Sequence, residues 1–297
     1  MNKNLNLNSK KEIKIPKKKK TYFTSPIQKL QLSLIIPYVI FTILFIILPM
    51  VFVSIYAFKP LEGQQKQLEN WAIALRPSTW VIIGRSLLTG GIAAILSLII
   101  GFPYAYIVSR SKYSVIKILG LTLILSPLAI FTISKALAVR GLFSAIFDEN
   151  HLNNNFFIIF GMVYLYLPFM VLPLYQVLKD MPNNILEASQ DLGYSKFKTV
   201  FTVIIPYSAK AILSGLGIVL MMAATSIIIS DKLLPNGSQK QLIGNLINQF
   251  ANTANPFDLA NSSTLVIITL SVLLGIYGII YGIPYLISKK KQGSHYE

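Results

Sequence analysis

The chain has 297 residues, 54% of them hydrophobic and only 13% charged, with a mean hydropathy of +0.60. Two soluble domains would fit the length, but so few charges and such long apolar runs define an all-α polytopic membrane protein, whose length counts bilayer crossings. The absence of cysteine excludes disulfides, thiolate metal sites and cysteine nucleophiles. The net charge of +16 is unevenly spread, with a dense run of lysines at the start of the chain that lacks the interleaved aromatics nucleic-acid binding needs.

In chain order, residues 1–32 form a basic tail, with Lys3, Lys10, Lys11, Lys14, Lys17 to Lys20 and Lys29. Its expected role is to fix orientation by the positive-inside rule and to touch anionic headgroups of the lipid bilayer. The first apolar run, Ser33–Phe58, exceeds the roughly 7–15 residues of a signal h-region and has no small-x-small site at its end, so it is expected to stay as a helix. Taking roughly 20 apolar residues per crossing, further spans are expected at Trp80–Ser109, Lys117–Val139, Phe156–Leu178, Tyr207–Ser230 and Ser262–Ser288.

These six helices make one membrane domain over 33–288, with a connecting loop at 179–206 and a basic C-terminal tail at 289–297. Lys and Arg cluster in the tail, at Arg110/Lys112/Lys117, at Lys179/Lys196/Lys198/Lys210 and at Lys289 to Lys291, and are sparser at 59–79, 140–155 and 231–261. The bias puts both termini and the 179–206 loop in the cytoplasm. Gly90-Gly91 and the Gly215/Gly217 pair are expected to let helices approach closely. Arg85 is expected to snorkel from the outer end of the second span.

The loop carries an unusual pattern. Pro182-Asn183 reads as a helix start with Asn183 as the cap, and Gly193 as a stop. Ile185, Ala188, Ser189 and Leu192 fall at helical spacing on one face, opposite Glu187, Gln190 and Asp191. After the glycine, Ser195 can cap a second helix in which Phe197, Val200, Phe201 and Ile204 repeat that spacing up to Pro206. Two short amphipathic helices joined at a glycine elbow could lie in headgroups, but the acidic polar face of the first suits a protein partner better.

Glu187-Ala188-Ser189, Gly193 and Val203-Ile204-Ile205-Pro206 resemble the hallmark cytoplasmic loop of the membrane permeases of ATP-binding-cassette importers, with Ser189 in place of an alanine. The flanking GMVYLYLPFMVLPLYQVLKDMP, IISDKLL, QLIGNLI and NPFDLANSSTL are similar to the spermidine/putrescine type. The resemblance covers the third to sixth spans well and the first two in outline; the basic tail is an addition to the pattern.

The resemblance implies a non-catalytic chain that works with a homologous second permease subunit, a pair of cytoplasmic ATPase subunits and an external polyamine-binding protein. ATP and Mg would be used by the ATPase, since this chain lacks a glycine-rich lysine loop. Glu187 would anchor the ATPase surface, Gly193 would make the turn, Ala188, Ser189 and Leu192 would form the packed face, and Pro206 would join the elbow to the fifth span. Asp231 would close that span at the outer mouth and, with Asp148 and Glu149, steer a polyamine, while Tyr166 and Phe169 would line its path. Lys135 suits a gate or packing role, because a cationic substrate disfavours it at close range. His151 and His295 form no metal pair.

Two other readings compete: an importer permease for another small solute, and an ion-coupled transporter acting alone. The latter calls for carboxylates at mid-membrane, and none is found there.

Overall fold

The computed structural model describes residues 26–60, 69–235 and 240–293, with side chains from 33 to 148 and from 151 to 282 within those ranges. The tail lysines and His295 lie outside the residues so described, as does the Glu149 side chain. The chain divides into a leading unit that ends at Phe52 and a second unit from Val53 onward.

The leading unit is α1 (Pro26–Thr42), a π-helical turn at Ile43–Ile47 and the beginning of α2 (Leu48–Phe58). Together they carry the expected first span, an apolar helix over Ser33–Phe58 of 26 residues. Its large side chains, from Leu34 to Ile55, are exposed along the helix. Such a surface suits hydrocarbon, where the helix satisfies its own backbone groups.

In the second unit a 3-10 turn (Glu69–Trp71) and α3 (Ala72–Leu75) lead into α4 (Pro77–Arg110). Next come α5 (Ser114–Leu125), a 3-10 turn (Ser126–Ala129), α6 (Thr132–Ile146), α7 (Glu149–Leu152) and α8 (Asn155–Asp180). The elbow follows as α9 (Asn183–Asp191), α10 (Lys196–Thr199), a π turn (Val200–Ile204) and α11 (Ile205–Tyr207). The chain continues through α12 (Ala209–Ala224), a π turn (Ile229–Leu233), α13 (Ile243–Gln249) and α14 (Pro256–Gly293).

The core forms where α4, α8 and α12 pack against one another. Small residues bring the backbones together, as is usual where lipid removes the hydrophobic drive between helices. A Cβ on Gly90 would stand 3.1 Å from the Ala224 amide nitrogen, and one on Gly215 only 2.6 Å from the Met170 sulfur. Gly91, by contrast, has nothing within 4 Å, so only one member of that expected pair makes a close approach.

Among the described residues four helices are long and apolar enough to cross a bilayer as single spans, and two bent helix pairs bring the number to six if each counts as one crossing. The third span, expected as one helix over Lys117–Val139, is instead α5 and α6 set at 101°. Pro127 ends the first half, and Ile130 and Phe131 adopt extended ψ values of 137° and 136° before α6 begins. The fifth span, expected over Tyr207–Ser230, stops at Ala224. Beyond it the Gly244 backbone sits so close to the Thr225 carbonyl that a Cβ there would collide with it.

The sequence pattern of 231–261 gives no helix, yet α13 forms there and docks onto α4: the Ile243 amide donates to Ser86 Oγ at 2.8 Å. Arg85 belongs to the same contact. Its guanidinium donates to the Gln241 carbonyl at 3.4 Å. Within the second unit, Asn70 donates to the Ala57 carbonyl at 2.8 Å and to Thr264 Oγ1 at 2.7 Å, linking Ala57 to α14. The last span starts earlier than expected, at Pro256, because Asn255 accepts from the Phe257 amide at 3.1 Å and caps the helix there.

Candidate functional site

The elbow between α8 and α12 is built from local signals that each have a visible partner. Gly193 has φ +77°, a left-handed conformation that costs a residue with a Cβ roughly 1–2 kcal/mol. Around it the Gly193 amide donates to the Gln190 carbonyl at 2.8 Å and the Tyr194 amide to the Ser189 carbonyl at 3.2 Å. This pair of bonds is the Schellman ending of a helix, and it satisfies carbonyls that would otherwise be free. Ser195 Oγ then accepts from the Lys198 amide at 3.3 Å and caps α10.

The start of α9 departs from expectation. Pro182 occupies the cap position without a side-chain bond, and Asn183 is engaged elsewhere: its Oδ1 accepts from Arg110 Nη1 at 2.8 Å. Arg110 Nη2 donates to the Met181 carbonyl at 2.7 Å. The last residue of α4 thus clamps the first turn of the elbow. The pairing spans 71 residues of sequence, and the composition of neither segment announces it.

The inward face is also redistributed. Ser189 is 4% exposed, and its hydroxyl pairs at 2.9 Å with Thr199, itself buried. Ile185 and Leu186 pack on the core. Ala188 is exposed and Leu192 is 76% exposed, so within this chain they do not belong to the packed face expected of them. Glu187 and Asp191 are exposed as well, as is Phe197 at 76%. Sequence reasoning treated Ser189 as a neutral replacement and missed its partner, a threonine ten positions on.

Pro206 is exposed on α11. The joint to the fifth span lies just beyond it, where Lys196–Tyr207 meets Ala209–Ala224 at 70°. The fully buried Ser208 sits at the corner, its hydroxyl donating to the Ile204 carbonyl at 2.8 Å.

The residues expected along a substrate path lie on α6, on α8 and in the π turn beyond α12. Tyr166 is buried on α8 beside Ser226, and Phe169 is half-buried against the core. Asp231 pairs with Lys232 at 2.9 Å, both side chains about half exposed. Lys135 on α6 is 6% exposed and forms no ion pair among the described residues. α6 packs on the turn that holds Asp231.

The bundle of broken and unbroken spans with a projecting two-helix elbow is that of a membrane transport subunit, and the comparisons agree. The chain belongs to the permease family of ATP-binding-cassette importers. It is 30% identical to the spermidine/putrescine transport system permease protein PotB of Haemophilus influenzae, over 84% of this chain and 92% of that protein. It is 27% identical to the PotB homolog of Mycoplasma genitalium over 86% and 92%, and 30% identical to Escherichia coli PotB over 72% and 81%.

Among solved structures, a bacterial ABC transporter involved in the import of the acidic polysaccharide alginate matches with a TM-score of 0.63. The match has 14% identity and covers 88% of this chain and 98% of that one. No family model matches. The chain is accordingly a non-catalytic, multi-pass membrane subunit of an importer, and the reading of a transporter acting alone is set aside.

Proposed function

We propose that this permease serves polyamine uptake, passing spermidine or putrescine between itself and a homologous second permease subunit. The observation that supports the substrate class is the kinship with PotB proteins along most of the chain. An external polyamine-binding protein delivers the substrate, and ATP and Mg are handled by a cytoplasmic ATPase pair. The elbow faces the cytoplasm with both termini, in keeping with the lysine and arginine bias of the loops.

In this reading the exposed Leu192 and the acidic Glu187 meet the ATPase, beside Ala188. Gly193 and the internal Ser189 keep the two short helices rigid. A rigid lever joined to α12 past Pro206 passes closure of the ATPase pair to the spans, shifting them between inward- and outward-open states. Asp231 steers the cation at the outer mouth, Tyr166 and Phe169 flank the path, and Lys135 serves as a gate or packing group.

One observation favours a second solute class. Lys135 is a nearly buried cation without an anionic partner among the described residues, and an anionic solute would satisfy it. The deciding experiment measures ATPase activity of the complex reconstituted with its second permease, ATPase and binding protein. Stimulation by polyamine-loaded binding protein alone supports the proposal. Stimulation only by a protein loaded with an anion keeps the importer and replaces the substrate.

A further inference from the structure

Between the end of α4 and the elbow lies a cleft of about 570 Å³. Arg110, Lys112 and Lys196 line it, Tyr106, Leu186 and Phe197 supply apolar wall, and no carboxylate faces it. The acids of α9, Glu187 and Asp191, are exposed and do not line it. Among the described residues Lys112 and Lys196 form no ion pair, the sole pair there being Lys232 with Asp231. Three positive charges around a concave, partly apolar space make a site for a compact anion.

Adjoining this cleft is a path for something longer. α5 starts at Ser114, two residues past Lys112, and its Val115, Ile118, Leu119 and Leu123 are 65%, 64%, 63% and 70% exposed. Tyr113, at the junction, is 71% exposed, the placement of an aromatic at a membrane interface. A cationic cup whose Lys112 stands two residues before an exposed apolar helix matches a molecule with an anionic head and a hydrocarbon tail. Free phosphate would use only the cup.

We propose that this cleft binds the phosphate headgroup of an anionic phospholipid, with the acyl chains lying along α5. The inference is independent of which solute the importer carries. A basic pocket at the end of membrane helices is a recognised setting for such headgroups. Bound there, the lipid bridges α4, α5 and α10, and its charge offsets repulsion among three cations.

The test is native mass spectrometry of the intact importer complex released from nanodiscs containing phosphatidylglycerol and phosphatidylcholine. The wild-type complex is expected to retain phosphatidylglycerol selectively. In Lys112→Gln/Lys196→Gln, retention should fall by about five-fold per lysine, and Lys112→Arg/Lys196→Arg should keep it, which separates loss of charge from loss of fold. Equal retention in wild type and the glutamine variant overturns the proposal. Displacement of the lipid by millimolar inorganic phosphate would assign the cup to a free anion and overturn the lipid assignment. Because the readout is bound lipid, it stands apart from any result on polyamine stimulation.

Discussion

Arg110 spends two of its donors on the first turn of α9, one on the Met181 carbonyl and one on Asn183. Bonds from a charged donor contribute about 1.5–3 kcal/mol each in favourable settings. Arg110→Ala should therefore loosen the attachment of α9 to α4, raising hydrogen exchange of the α9 amides by roughly ten-fold or more. Unchanged protection would mean that the clamp is not a support. Gly193 is the other residue on which the elbow turns. Proline there cannot adopt φ +77° and removes the amide that bonds to Gln190. Gly193→Pro is expected to abolish uptake while the protein still inserts in the membrane, and normal uptake would refute the lever. Gly193 was legible in the sequence because its signal is local. Arg110 was legible only as a positive charge, since its partners come from a distant segment.

At the scale of elements, a buried hydroxyl pair, Ser189 with Thr199, joins the two helices of the elbow. Thr199→Val leaves the Ser189 hydroxyl buried without its partner, at a cost of about 1–3 kcal/mol. Ser189→Ala costs less, because Thr199 keeps its bond to the Ser195 carbonyl at 3.1 Å. The double variant should be more stable than the sum of the single effects predicts, as read by thermal unfolding of the detergent-solubilised complex; strict additivity would dissolve the pair. The existence of both elbow helices followed from spacing and from Ser195 as a cap. The identity of their inward faces did not: period alone grouped Ala188 and Leu192 with Ser189, whereas the angle at which α9 meets the core selects Ile185, Leu186 and Ser189. The long spans read well for a related reason. Hydropathy reports where an apolar helix exists, but Ile130 and Phe131 bend the third span without lowering its hydropathy, so the bend is silent in that signal.

For the whole molecule, the basic total charge makes Asp231, the carboxylate proposed for the outer mouth, informative. Its side chain is 52% exposed and, among the described residues, its ion pair is with the adjacent Lys232, so its field reaches solution. Asp231→Asn should reduce polyamine uptake about two- to five-fold at low ionic strength and by less at high salt, as screening shortens the reach of the charge. Equal loss in both conditions would indicate a structural part. The right-angled third span carries a different consequence. With α5 and α6 set at 101°, the pair has the form of a crank, in which a twist of α5 about its own axis becomes a sideways sweep of α6. The 15 residues of α6 make an arm of roughly 22 Å at about 1.5 Å per residue. A twist of only about 10° would carry its far end by roughly 4 Å on that arm, a displacement wider than a water molecule obtained without unwinding a single helical turn.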